Sequence, residues 1–338
     1  MDITELLAFC AKQGASDLHL SAGMPPVLRM NGDMRRIKSP ALTSEKIDAG
    51  LKSLMTPEQQ ETFQKQLELD FSWQQEGVAR FRINAFHQHK GVSAVIRALP
   101  FQVPSLDQLG LGEVFRQLAM TTKGLVLVTG PTGTGKSTTL AAMLDYVNEH
   151  RSQHILTIED PIEFLHTSKK SLVTQRELHK DTLGYSEALR AALREDPDVI
   201  LVGEMRDPET IRMALTAAET GHTVFSTLHT DSAAKTVNRI LDVFPAGEKA
   251  LVRSMLSESL QAVVCQNLVR QQKGGRVAVH EIMRVNSAIR HLIREDRIAQ
   301  MQTVMQTGAA EGMQTMEQGL QNLVSDGVIS ADQVDFSG

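Results

Sequence analysis

The run Gly130-Pro131-Thr132-Gly133-Thr134-Gly135-Lys136-Ser137-Thr138 constrains this chain more than any other segment, because it fits G-x-x-x-x-G-K-[ST] and has the flanks that pattern needs. Upstream, Gly124-Leu125-Val126-Leu127-Val128-Thr129 reads as a short buried parallel strand. Downstream, Thr139-Leu140-Ala141-Ala142-Met143-Leu144 reads as helix. Glycines at these positions let the backbone wrap a phosphate chain with its N–H groups pointing inward; the helix N-terminus adds a partial positive charge and Lys136 a full one. Ser137 is then placed to ligate Mg²⁺. The bland alternative is a glycine-rich turn ahead of a helix, and the strand and helix flanks weigh against it.

A chain of 338 residues with 41% hydrophobic content has material for two cores. Cys10 and Cys265 are its only cysteines, which excludes a disulfide framework or a four-cysteine zinc site within one chain and points to a reducing compartment. Met1-Asp2-Ile3-Thr4-Glu5 carries acids where a signal peptide needs bases, and no apolar run approaches the ~18 residues of a membrane span. The expectation is a soluble cytosolic protein. A net charge of -5 with one Trp and two Tyr argues against a surface that holds nucleic acid by phosphate contacts and base stacking.

Patterning divides the chain near residue 100. Before it, Asp2 to Gln13 reads as an amphipathic helix with a capping box at Asp2 and Glu5 and a stop at Gly14. Alternating segments follow at Ser16–Leu20, Pro26–Gly32, Ala79–Phe86 and Val92–Leu99, with a helical stretch over about Ser44–Leu67. This predicts a small α+β domain with an antiparallel sheet over 1–99. Residues 100–112 open on two prolines, Pro100 and Pro104, and read as a linker; 113–338 alternates strand and helix as a parallel α/β domain does.

Three further apolar runs, His154–Glu159, Val199–Gly203 and Thr223–Leu228, end in polar residues at the carboxyl edge of a parallel sheet, where ligands bind. They supply Glu159, Asp160 and Glu163, then Glu204, then His229, with His222 just before the third run. Phosphoryl transfer to water needs one carboxylate to hold Mg²⁺ through its water shell and a group to orient the attacking water. Glu163 and Glu204 are placed to share those tasks. His222 and His229 read equally as γ-phosphate sensors or as structural hydrogen bonders.

In these residues the chain resembles the secretion ATPases. Ile155–Glu163 is similar to their Asp box, Arg194–Asp207 to their Walker B region, and Thr220-Gly221-His222 with Ser226–Thr230 to their His box. The resemblance covers nearly the whole chain. It extends to Gly14–Leu20 and to Ala288-Ile289-Arg290-His291-Leu292-Ile293-Arg294-Glu295, which is similar to a C-terminal element of pilus retraction motors with His291 in place of Asn. Pro208 stands where leucine is more usual and is compatible with the first position of a helix.

That resemblance implies a RecA-like ATPase domain preceded by a PAS-like domain, assembled as a homohexamer. It implies ATP hydrolysis with Mg²⁺ at the base of a type IV pilus, on the cytoplasmic side of the inner membrane, driving pilin disassembly and twitching motility. The implied partners are an inner-membrane platform protein and a second retraction ATPase, with no nucleic acid and no membrane insertion. Glu163 would be the water-activating acid, Glu204 the Walker B acid and, with Ser137, the metal residue. Arg80, Arg82 and Arg97 would complete the phosphate site. From the residues alone, Arg80 and Arg82 alternate along one strand and share a face, as they also would on a solvated sheet face. The absence of a four-cysteine zinc element favours retraction over extension. Competing readings are an accessory retraction ATPase or another ATPase of this superfamily, a nucleotide-gated switch with negligible turnover, and a nucleic-acid translocase. Because Ala288–Glu295 is remote in sequence from the phosphate site, Leu292→Ala and Arg294→Ala are both expected to separate retraction from hydrolysis.

Overall fold

Asp2 caps helix α1 (Ile3–Lys12) through the expected box with Glu5, and Gly14 (φ 64°) ends it. The computed structural model describes residues 2–30, 32–99 and 102–334. Met1, Asn31, Pro100, Phe101 and 335–338 lie outside the described residues, including the first two linker positions and the last four of the expected second domain. The chain divides into two units, Met1–Gln102 and Val103–Gly338.

The first unit carries strands β1 (Asp17–Ser21), β2 (Val27–Met30), β3 (Asp33–Arg36), β4 (Glu68–Gln75), β5 (Ala79–Gln88) and β6 (Gly91–Leu99), all paired antiparallel in the order β3-β2-β1-β6-β5-β4. One sheet face places Leu18, Phe81, Ile83 and Ile96 in a core with Leu7, Leu51 and Phe63 from the helices. The helical stretch expected over Ser44–Leu67 is two helices, α2 (Ser44–Leu54) and α3 (Pro57–Gln66). The break is local chemistry: Thr56 caps α3 through a box with Gln59, and Pro57 takes its first position. Strands β3 and β4 are not anticipated by the sequence reading. All of β3 is exposed, so it has no apolar alternation to detect.

In the second unit, α4 (Glu113–Ala119) precedes β7 (Gly124–Thr129), α5 (Lys136–His150), β8 (His154–Glu159), β9 (Leu172–Glu177), α6 (Tyr185–Ala192), β10 (Val199–Val202), α7 (Pro208–Glu219), β11 (Thr223–Leu228), α8 (Ala233–Asp242), α9 (Ala246–Ser259), β12 (Leu260–Arg270) and β13 (Arg276–Arg284). The sheet order is β13-β12-β7-β11-β10-β8-β9, parallel except for the β12–β13 hairpin at one end. Successive residues of β7 face opposite sides: Leu125 and Leu127 join one core with helices α7 to α9, and Val126 and Val128 join the other with α5. Pro208 does open α7, with Asp207 as its cap. Helices α10 (Ser287–Arg294), α11 (Met301–Thr307) and α12 (Met316–Ser325) complete the unit. Ile289, Leu292, Ile293, Ile298, Met301 and Met305 are buried in the first of those cores, and Asp296 (φ 58°) breaks the run between α10 and α11. Among the described residues, no helix is long and apolar enough to cross a membrane.

Candidate active site

Strand β7 delivers the glycine loop to the carboxyl edge of the sheet, and α5 starts at Lys136 with Gly135 as its cap. Gly130 (φ 140°) takes a backbone that L side chains avoid, and a Cβ there would run into the Gln266 carbonyl. No side chain caps α5 and its first turn holds no acid, so its leading N–H groups and dipole are directed at whatever the loop encloses. Lys136 is 8% exposed, and its Nζ donates to the carbonyls of Gly130 at 2.8 Å and Pro131 at 3.0 Å. Burial pushes the Lys136 pKa down, while the nearby Glu204 and Glu163 carboxylates oppose that shift. Thr134 closes the loop on itself with Oγ1 donating to the Pro131 carbonyl at 2.9 Å.

Two strand ends bring the acids in. Glu159 closes β8, where burial raises its pKa against hydrogen bonds from Thr157 (2.8 Å), Gln175 (3.3 Å) and the Glu163 amide. The following turn is pinned by the Ile162 amide donating to buried Glu177 at 3.2 Å, and it presents Glu163 half-buried. Glu204 follows β10. Its Oε2 accepts from Arg206 at 2.7 Å and its Oε1 faces His229 Nε2 at 3.1 Å. Burial raises the Glu204 pKa, but the Arg206 hydrogen bond and the His229 charge outweigh it and hold the carboxyl below its ordinary value.

Ser137, Glu159, His166, Gly203 and Thr227 line a small cavity of about 30 Å³, room for roughly one water. Arg206 enters the sequence reading only within the stretch Arg194–Asp207, with no role, and His166 and Tyr185 do not enter it. The Tyr185 hydroxyl lies against Gly203, and Asp160 and Glu204 add to burial in raising its pKa. Arg206 was legible as the base two residues beyond Glu204; Tyr185 and His166 carry no sequence signal that would single them out.

Not every expected residue joins this cluster. His222 precedes β11 at the amino edge of the sheet, where its carbonyl accepts from Gly124 and its Nδ1 lies 2.9 Å from the Ala217 carbonyl. The six residues of β7 separate that edge from Gly130, about 20 Å at ~3.3 Å per residue, so within its own chain His222 stands apart from the loop. Arg80, Arg82 and Arg97 lie in the first unit on one sheet face, Arg82 paired across strands with Arg97. Arg82 forks onto Asp70 (Nη2 to Oδ2, 2.6 Å), Arg97 Nε donates to Asp17 at 3.0 Å, and buried Arg80 donates to Ser72 at 3.0 Å. On that face Arg82 and Arg97 thus make ion pairs, Arg97 while well exposed, and Arg80 bonds a hydroxyl.

Loop, uncapped helix and buried lysine fit a polyphosphate. Among the described residues, no group of three or more His, Cys, Asp or Glu forms a metal cage. Mg²⁺ usually keeps its waters and arrives with phosphates, so a site of this kind needs only one or two protein oxygens.

A family model described as "Type II/IV secretion system protein" matches residues 2–335. The chain is 63% identical to "Type IV pilus retractation ATPase PilT" of Pseudomonas aeruginosa over 98% of its own length and 96% of that protein. It is 59% identical to "Twitching motility protein" of Neisseria gonorrhoeae, over 91% of this chain and 82% of that one. A solved structure, "Crystal Structure of the Pilus Retraction Motor PilT and Bound ADP", superposes with a TM-score of 0.92 at 46% identity, covering 99% of this chain and 96% of the other.

Proposed function

The chain belongs to the type II/IV secretion system protein family, and from that premise we propose that it is an ATP-hydrolysing motor powering type IV pilus retraction and twitching motility. The larger unit has the RecA-like P-loop ATPase fold. The smaller α+β unit is read as PAS-like and the working assembly as a homohexamer. It would sit at the cytoplasmic face of the inner membrane, against a platform protein and a second retraction ATPase. The observation that carries this reading is the glycine loop with buried Lys136 under the influence of two separate carboxylates, Glu163 and Glu204.

In this reading the α5 N-terminus and Lys136 bind the β and γ phosphates. Mg²⁺, when bound with ATP, neutralises charge developing on the phosphates. Ser137 and Glu204 hold its coordination sphere. Glu163, which makes no ion pair among the described residues, orients the attacking water, and His229 reports the γ-phosphate through Glu204. Arg80, Arg82 and Arg97 supply further positive charge to the phosphates, each released from its present acceptor. The test is complementation of a piliated cell that lacks retraction. The wild-type chain should restore twitching and Lys136→Ala should not; restored twitching with Lys136→Ala would overturn the motor reading.

A further inference from the structure

Behind the phosphate loop, on the side away from solvent, lies one amide that the sequence does not mark. Gln266, on β12, is 3% exposed. Its Nε2 donates to the Thr134 carbonyl at 2.6 Å, which fixes the orientation of the amide because a carbonyl only accepts. Its Oε1 then faces two donors, Thr139 Oγ1 at 2.7 Å and His280 Nε2 at 3.2 Å. Thr134 belongs to the loop and Thr139 to the first turns of α5, so one side chain grips the loop and the helix that follows it. The backbone of Gln266 also lies against Gly130, and a Cβ on Gly135 would stand 3.1 Å from Nε2. Gln266 thus lies against Gly130 and Gly135 and bonds Thr134 between them.

We propose that Gln266 is a positioning residue for nucleotide binding. Holding the Thr134 carbonyl back against β12 turns the peptide N–H groups of the loop's far side toward the phosphates, and Thr139 and His280 lock the amide that does so. Loops of this kind contribute through backbone donors aimed in advance, so affinity depends on keeping them aimed. His280 is itself braced: its ring meets Phe115 edge-on with centroids 4.9 Å apart, and its carbonyl accepts from Gln314 at 2.7 Å.

The inference rests on the ATPase reading above, and the experiment separates the two. Gln266→Met preserves bulk and removes the hydrogen bonds. It should raise the Kd for a fluorescent ADP analogue and the KM for ATP at least tenfold, with a smaller loss in kcat. Thr139→Val should raise KM several-fold, and Thr139→Ser, which restores the hydroxyl, should return it to near the wild-type value. A residue that only fills space would lower the melting temperature and leave Kd and KM of the folded protein unchanged, which would overturn the inference while the ATPase reading stood. Should Gln266→Met not fold, the Thr139 pair decides: equal KM for Val and Ser overturns it. Wild-type protein that neither binds the analogue nor hydrolyses ATP would overturn the reading beneath it.

Discussion

Replacing Leu292 by alanine should lower the melting temperature of the larger unit by about 6–12 °C, whereas replacing Arg294 in the same helix should lower it by no more than about 4 °C. Leu292 is 7% exposed and packs in the core that holds Ile289, Ile293 and Met301. Truncation removes three carbons, about 2.4 kcal/mol of transfer free energy at ~0.8 kcal/mol each, and the residual cavity brings the loss to about 3 kcal/mol. For a unit of roughly 150–250 residues each kcal/mol moves the transition by about 2–4 °C. Arg294 reaches Glu258 at 2.8 Å with both side chains well exposed, an arrangement worth about 0–1 kcal/mol. Differential scanning calorimetry of both variants without nucleotide, beside ATP turnover at low temperature, makes the comparison. A Leu292→Ala transition within 2 °C of wild type, or an equal loss for Arg294→Ala, would refute the packing argument. The two substitutions look equivalent in the sequence; the structure leaves Arg294→Ala as the cleaner probe of the segment Ala288–Glu295.

Glu163→Gln keeps size and reach but loses the charge that orients water, so analogue binding should persist while turnover falls by about 10² or more; unaltered turnover would transfer the role to Glu204. His280 is pushed down to about 4 by burial, so the unfolded chain takes up a proton that the folded chain refuses as pH falls below ~6.5. Its contribution to stability is present above that range and is lost toward pH 4, by about 3 kcal/mol in all, and His280→Gln should flatten the melting-temperature profile between pH 6.5 and 4.5. Arg82→Ala and Lys136→Ala proteins should each be nearly inactive, and mixing them with subunit exchange should restore partial turnover, since an arginine acting in trans is worth about 10³–10⁵ in rate; no recovery despite proven exchange removes Arg82 from a shared site.

What the sequence disclosed was local. The loop glycines, Lys136, Glu163 and Glu204 each stand within a few residues of a strand whose apolar run is easy to see, and a parallel sheet gathers strand ends on one edge without further information. His222 and His229 flank the run Thr223–Leu228, so the sequence already sets them at opposite ends of one strand of six residues. The break at Thr56 was legible in Thr-Pro-Glu-Gln and was outweighed by the helical period around it. Gln266 and His280 sit on a hairpin more than a hundred residues from the loop they brace, as Gln266 and Thr134 are 132 apart, and nothing local distinguishes a buried amide with three partners from an exposed one. Long-range hydrogen bonding of that kind is decided by register, which β12 sets only when it pairs with β7.

Phosphate release from ATP and Mg²⁺ by purified wild-type chain, measured beside Lys136→Ala with the folding of both verified, tests the central claim most directly. Lys136 is the buried cation of the loop, held by Gly130 and Pro131 and influenced by both carboxylates. Steady turnover by the wild type that is nearly abolished in the variant is the predicted result. Equal turnover by both proteins would contradict the assignment of this loop as the site of ATP hydrolysis, and with it the motor reading built on it.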